Sequence, residues 1–253
     1  YRSMTELKFK KLLNHLDILI FHRKLIELNN LKEGMIYLQV TRGVADRSFD
    51  MPKDKIEPTV LAFTQEKKII DSESAKNGIK VMTLDDMRWK RCDIKTTQLL
   101  YASMAKTEAT EKGFDDAWML REGYVTEGSS SNAWIIKGKI IMTRQSDNLL
   151  LSGITRDAIF KCAKDLGYEV VTKNITLPDA QSASEAFITS ATGAIVFNVF
   201  SIEKVWLIST ADKPKSKSKV GTLFFVETMT FSTLLFIQMT FSTPKLSNFS
   251  VFL

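Results

Sequence analysis

The chain has 253 residues, 44% hydrophobic and 25% charged, which is enough apolar material for one large or two ordinary domains and excludes a wholly disordered chain. Two cysteines without a CxxC pair, Cys92 and Cys162, and two histidines, His15 and His22, exclude a disulfide scaffold and a cysteine-rich zinc site and leave little for histidine-based triads; they fit a reducing, cytoplasmic setting. The 35 Lys and Arg against 29 Asp and Glu give a net charge of +6, which suits an anionic ligand but does not demand nucleic acid.

The chain opens on Tyr1-Arg2-Ser3-Met4 with neither an initiator methionine nor a signal peptide, and reads as starting in mid-helix. Leucines and isoleucines at 12, 13, 16, 19, 20 and 25 predict a helix over Leu7–Leu28. Met35–Val40 and Thr59–Thr64 read as strands, Glu66–Ser74 as a polar link and Ile79–Leu84 as a strand. A helix over Thr97–Lys112 closes at Gly113. Short strands follow at Asp116–Leu120, Ala133–Lys137 and Lys139–Thr143, with a Lys137-Gly138 turn between the last two. Ile154–Leu166 is the best helix, with Ile154, Ala158, Ile159, Cys162, Ala163 and Leu166 on one face and Gly167 after it. Glu169–Ile175 and Glu185–Ser190 read as further strands.

Strands outnumber helices without strict βαβ alternation, which predicts an α/β or α+β fold of two domains. The expected division is a partial small N-terminal domain over 1–67, a linker over 68–74, a large domain over 75–200 and an atypical, disordered tail over 201–253. The tail opens with alternating Lys213, Lys215, Lys217 and Lys219, which is linker composition, and carries the pentapeptide MTFST twice. Its uncharged run, Thr228–Pro244, is rich in Thr, Ser and Gln and shorter than the roughly 20 apolar residues of a spanning helix, so no membrane association is expected. No aromatic-basic motif accompanies the lysines, so no nucleic acid is expected either.

Three segments carry residues fit for chemistry. In Arg91-Cys92-Asp93-Ile94-Lys95-Thr96, Lys95 lies at a strand-to-helix junction, where burial would depress an amine's pKa and make it nucleophilic. In Thr126-Glu127-Gly128-Ser129-Ser130-Ser131-Asn132, a carboxylate precedes a turn dense in hydroxyls. In Ser152-Gly153-Ile154-Thr155-Arg156-Asp157, the strongest helix opens, and a helix start offers free N–H groups to an anion. A lysine, a carboxylate and an anion-ready helix start together suit pyridoxal 5′-phosphate, although each alone reads as ordinary surface charge, loop or cap. Neither GxGxxG nor GxxxxGK[ST] occurs.

From Tyr37 to Thr192 the chain resembles the class IV (fold type IV) pyridoxal-phosphate aminotransferases, and within them the D-amino-acid aminotransferases. The resemblance rests on Tyr37-Leu38-Gln39-Val40-Thr41-Arg42-Gly43, Arg88-Trp89-Lys90-Arg91-Cys92-Asp93-Ile94-Lys95, Thr126–Asn132 and Gly153–Asp157. It implies transamination between a D-amino acid of the D-alanine or D-glutamate type and a 2-oxo acid. Lys95 is then the Schiff-base lysine and proton shuttle, and Glu127 the partner of the pyridine nitrogen. Ile154 and Thr155 bind phosphate, joined by Ser190 and Ala191 of a second loop, Thr189–Thr192. Leu151 packs on the ring, and Ser130, Ser131 and Asn132 support Glu127 and line the site. Arg47 reads the substrate carboxylate, with Phe49 standing where the D-amino-acid enzymes carry a histidine. The resemblance also implies a homodimer, and it leaves branched-chain aminotransferase, aminodeoxychorismate lyase and an inactive truncated member as alternatives. Family members have a further N-terminal segment and a closing strand and helix that this sequence does not match, so the small domain is expected to be incomplete.

Overall fold

The computed structural model describes residues 1–10, 12–52, 56–69, 72–191 and 199–204, and the chain divides into two units after Ile69. The first unit holds α1 (Arg2–Glu6), α2 (His15–Leu28), β1 (Gly34–Thr41) and β2 (Thr59–Glu66). The single helix expected over Leu7–Leu28 is broken. Lys8 takes a left-handed φ of 56°, and the Asn14 side chain accepts the Leu16 amide at 2.8 Å, which starts α2 afresh. The face it buries is Ile18 with His22, one turn on, while Leu16 and Ile20 are exposed. β1 and β2 pair antiparallel, and the rings of the opposed Tyr37 and Phe63 stack at 5.0 Å. Just beyond β1, Arg42 donates to the carbonyls of Leu7 and Lys8 and lies over the Phe9 ring. At Gly43, φ is 113° and a Cβ would fall 2.1 Å from the Glu57 carbonyl oxygen, so only glycine fits.

The second unit begins with α3 (Glu73–Asn77), β3 (Ile79–Asp85), α4 (Leu100–Glu111), β4 (Asp116–Arg121) and β5 (Tyr124–Gly128). It continues with β6 (Asn132–Lys137), β7 (Ile140–Thr143), α5 (Ile154–Asp165), β8 (Glu169–Thr172) and β9 (Ile175–Thr176). It closes with α6 (Leu177–Gln181), β10 (Glu185–Thr189) and β11 (Val199–Lys204). Two mixed sheets result, ordered β10-β6-β7-β8 and β11-β3-β4-β5-β9.

The core follows from the two-residue period of the strands. Val81, Trp118, Val125, Ile135, Met142 and Ala186 point between the two sheets and form the central cluster. Their neighbours point the other way. Trp134, Ile136, Ile141 and Phe187 meet Ile159 and Ala163 of α5, and Met82 and Ala117 meet Ala105 and Ala109 of α4. The layers are therefore helix, sheet, sheet, helix. Fully burying a side chain the size of Ile135 or Met119 contributes roughly 1.5–3 kcal/mol.

Three features depart from the sequence reading. Glu169–Ile175 is two strands, β8 in the four-stranded sheet and β9 in the five-stranded one. β5 was not expected at all; it pairs with β4 across a two-residue turn, Glu122-Gly123, with φ of 53° and 82°, the signs of a type I′ hairpin. The expected start of the tail at residue 201 falls inside β11, which pairs parallel with β3. The rest of the tail, with the lysine cluster and the repeated pentapeptide, lies outside the described residues. Among the described residues no helix is long and apolar enough to cross a membrane, and no cluster of three metal-ligating side chains occurs.

Candidate active site

Glu127 sits near the end of β5 and is only 5% exposed. A carboxylate so buried needs partners for its oxygens, and three converge on it. Asn132, at the start of β6, donates its side-chain amide to Oε2 at 3.1 Å, and the Leu151 backbone amide donates to the same oxygen at 3.1 Å. The third is Arg88, whose Nη1 donates to Oε1. Burial pushes the Glu127 carboxyl above its usual range, and Arg88 works against that rise by charge and hydrogen bond.

Arg88 belongs to the connection between β3 and α4. Its Nε and Nη2 form a fork on Asp86 at 2.9 and 2.8 Å, and Nη2 also reaches the Leu149 carbonyl at 3.2 Å. Asp86 accepts from the Thr126 hydroxyl at 2.8 Å and pairs with Arg121 at 3.3 Å. Burial alone would raise the Asp86 carboxyl, but the Arg88 hydrogen bonds and charge and the Thr126 hydroxyl hold it below its usual range. Two carboxylates and two guanidiniums thus cancel in the interior, which is the condition for keeping them there. Asp86, Arg88, Arg121 and Thr126 were not singled out in the sequence as site residues. Arg88 and Thr126 lay inside matched runs without being given a role, and Asp86 and Arg121 carried no signal.

Lys95 closes that same connection. Ile94 donates to the Arg91 carbonyl at 3.1 Å, and Arg91 forks onto Asp93 at 3.0 and 3.2 Å, which makes a tight turn. The Cys92 amide donates to the Asn148 carbonyl at 2.8 Å, three residues before Leu151, and so ties the turn to the loop that holds Glu127. Cys92, Asp93 and Ile94 are buried, but Lys95 itself is exposed, against the expectation of burial; the turn spends its apolar residues inward and presents the lysine outward.

The same loop leads into α5. Asn132 donates to the Leu151 carbonyl at 2.8 Å and accepts from the Gly153 amide at 3.3 Å, so one side chain sets both Glu127 and the helix start. A Cβ on Gly153 would lie 2.7 Å from the Asn132 oxygen. No side chain caps α5, whose first-turn amides at Ile154, Thr155 and Arg156 therefore have no partner within the helix. The Thr155 hydroxyl donates to the Ser190 carbonyl at 2.9 Å and brings the second expected phosphate loop to the first. Ala191 is exposed beyond it, and Thr192 lies outside the described residues.

Of the serines, Ser131 is buried and donates to Asp116 at 3.4 Å, while Ser129 donates to the other Asp116 oxygen. Both anchor the turn, and Ser130 is exposed at its tip. Hydrogen bonds thus join Glu127, Asn132, Leu151 and Gly153, the Thr155–Ser190 bond lies at the same helix start, and the Lys95 turn is tied to the loop through Cys92. Arg47 is in the other unit, exposed on the β1–β2 connection with its guanidinium 5.3 Å from the Phe49 ring.

The profile of the amino-transferase class IV family matches residues 3–199, and the chain belongs to that family of pyridoxal-phosphate-dependent transaminases. It is 35% identical over 218 residues to the D-alanine aminotransferase of Bacillus licheniformis, covering 86% of this chain and 76% of that protein. Its fold is similar to that of the Escherichia coli branched-chain amino acid aminotransferase, with a TM-score of 0.70 at 23% identity over 80% of this chain and 68% of the other. A putative 4-amino-4-deoxychorismate lyase from Legionella pneumophila gives a TM-score of 0.72 at 22% identity over 84% of this chain and 77% of the other.

The residues present fit pyridoxal 5′-phosphate. The uncapped start of α5 suits the phosphate, and Gly153 leaves room for the Asn132 oxygen, 2.7 Å from where a Cβ would stand. One acceptor direction is left on Glu127, since a carboxylate has about four lone-pair sites and three donors are in place.

Proposed function

We propose that the chain exchanges the amino group of a D-amino acid, of the D-alanine or D-glutamate type, with a 2-oxo acid, using Lys95 as the attachment and proton-transfer residue. The observation that carries this reading is the buried Glu127 carboxylate, fixed on both oxygens, in one hydrogen-bonded network with the Lys95 turn and the α5 start. When bound, pyridoxal 5′-phosphate supplies a carbonyl that condenses with amines and a ring that accepts electrons from the substrate Cα.

The protein's part is binding, orientation and proton transfer. Lys95 Nζ would hold the cofactor and, as a free amine, would move a proton from and to the substrate Cα. Its exposure on a turn anchored by Cys92 gives it reach without loosening the backbone beneath it. Glu127 would accept the N–H of the ring and favour the positive charge there. The amides of Ile154 and Thr155, with Ser190 and Ala191, would bind the phosphate, and Leu151, whose backbone amide holds Glu127, would cover the ring. Ser130, Ser131 and Asn132 shape the turn beside it. Arg47 takes the substrate carboxylate by a charge-assisted hydrogen bond.

The D-amino-acid preference rests on the likeness to D-alanine aminotransferase. The test is borohydride reduction of the loaded protein followed by peptide mapping, with transamination of D-alanine and L-alanine measured in parallel. The label is expected on Lys95 and turnover with the D-isomer. A label elsewhere refutes the role of Lys95, and turnover confined to an L-amino acid refutes the substrate reading.

A further inference from the structure

The three donors already on Glu127 are unequally placed. Oε2 accepts two of them, from Asn132 and Leu151, and is filled. Oε1 accepts one, from Arg88. The single open acceptor direction therefore lies on the oxygen that Arg88 already touches. Any ring N–H received by Glu127 must share that oxygen with a guanidinium.

We infer that Arg88 is a positioning residue that fixes where the shared proton sits: by drawing on Glu127 Oε1 it weakens that oxygen as a base and keeps the proton on the ring nitrogen of the cofactor. A buried carboxylate without such a partner is a stronger base, because burial favours its protonated form. The pull of burial on Glu127 is upward, so an unopposed Glu127 would compete for the proton. Arg88 is held for this task by its fork on Asp86, which in turn is fixed by Thr126 and Arg121.

The other charged and titratable groups around Glu127 do not replace Arg88. Arg156, on α5, senses Glu127 but spends its guanidinium on the Thr143 hydroxyl and the Arg144 carbonyl. Arg121, from β4, goes to Asp86 and to the carbonyls of Asp86 and Arg88. The Cys92 thiol is pushed up by burial and stays uncharged at neutral pH. Asp86 adds negative charge and works the other way.

The inference rests on Glu127 facing the ring nitrogen, and its test separates the two claims. The full chain is loaded with cofactor labelled with 15N in the ring, and the 15N resonance is followed against pH in wild type, Glu127→Gln, Arg88→Lys and Arg88→Gln. Wild type should show a protonated ring nitrogen at pH 7. Glu127→Gln should move the resonance to the unprotonated position. Arg88→Gln should move the pH 7 resonance part of the way toward the unprotonated position, because a more basic Glu127 draws the shared proton onto its own oxygen. Arg88→Lys keeps the charge but makes only a point contact, and should fall between; it carries the test if Arg88→Gln does not fold.

A resonance that titrates as in wild type in the foldable Arg88 variants, while Glu127→Gln shifts it, overturns the role of Arg88 alone. A resonance unmoved in Glu127→Gln overturns the placement of Glu127, and the inference with it. A wild-type chain that retains no labelled cofactor overturns both. A merely structural Arg88 would change melting temperature and leave the resonance in place.

Discussion

Glu127 and Asp86 are both buried carboxylates, yet their surroundings drive them in opposite directions, with opposite consequences for stability. Asp86 is held below its ordinary value, so its ionised form favours the folded state. That contribution is complete above the unfolded value, near 3.8, and is lost as pH falls through the lower folded value. Glu127 lies above its ordinary 4.5, so its ionised form costs stability at neutral pH, and the cost fades as pH falls. Asp86→Asn should therefore destabilise the protein by about 3 kcal/mol at pH 7, because it strands two guanidiniums, and by clearly less at pH 3. Urea unfolding at the two pH values checks this, and an equal loss at both would show that the Asp86 charge is unimportant. Glu127→Gln should leave the cofactor attached through Lys95 but slow transamination by about 100-fold or more, since the ring loses its proton. An absorbance band retained with turnover unchanged would contradict it.

At the scale of elements, the start of α5 is built around a close approach. Gly153 has an ordinary extended backbone, so its constraint is steric: the Asn132 oxygen occupies the place of a Cβ. Gly153→Ala must push Asn132 aside and with it the donor to Glu127 Oε2. We expect a loss of about 1–3 kcal/mol in stability and a weaker hold on cofactor, read by melting temperature and by titration of the apoprotein. A neutral effect on both would mean that Asn132 moves freely. This helix was legible in the sequence because its apolar face repeats at helical spacing and Gly167 ends it. β5 was not legible. Thr126 and Glu127 are buried through partners 40 and 39 residues away, so a strand with polar residues inside shows no apolar alternation. The N-terminal helix failed for a local reason, since a run of leucines outweighed the cap that Asn14 supplies. In the site, the segments holding Lys95, Glu127 and the helix start were singled out by their motifs and by the family resemblance. Arg88 and Asp86 were not, because what marks them is a pairing across the sheet.

At the scale of the whole molecule, the residues proposed for the cofactor and the one proposed for the substrate fall in different units. The residues proposed for the cofactor lie after Ile69, whereas Arg47 belongs to the unit before it. A change at Arg47 should accordingly act on the amino acid alone. Losing one charge-assisted hydrogen bond to a carboxylate costs about 1.5–3 kcal/mol, which corresponds to roughly a 10- to 100-fold rise in KM. Arg47→Ala should show that rise for D-alanine, with cofactor affinity close to wild type. Phe49 sharpens the question, because it stands at the histidine position of the D-amino-acid enzymes and its ring lies against the Arg47 guanidinium. Phe49→His adds a donor for the carboxylate and removes the aromatic face, so KM for D-alanine should fall while that for a carboxylate-free amine stays put. Steady-state kinetics of both variants with D-alanine, L-leucine and such an amine decide the matter. If Arg47→Ala instead weakens cofactor binding and leaves KM for D-alanine unchanged, Arg47 does not read the substrate, and the D-amino-acid assignment loses its physical basis in this chain.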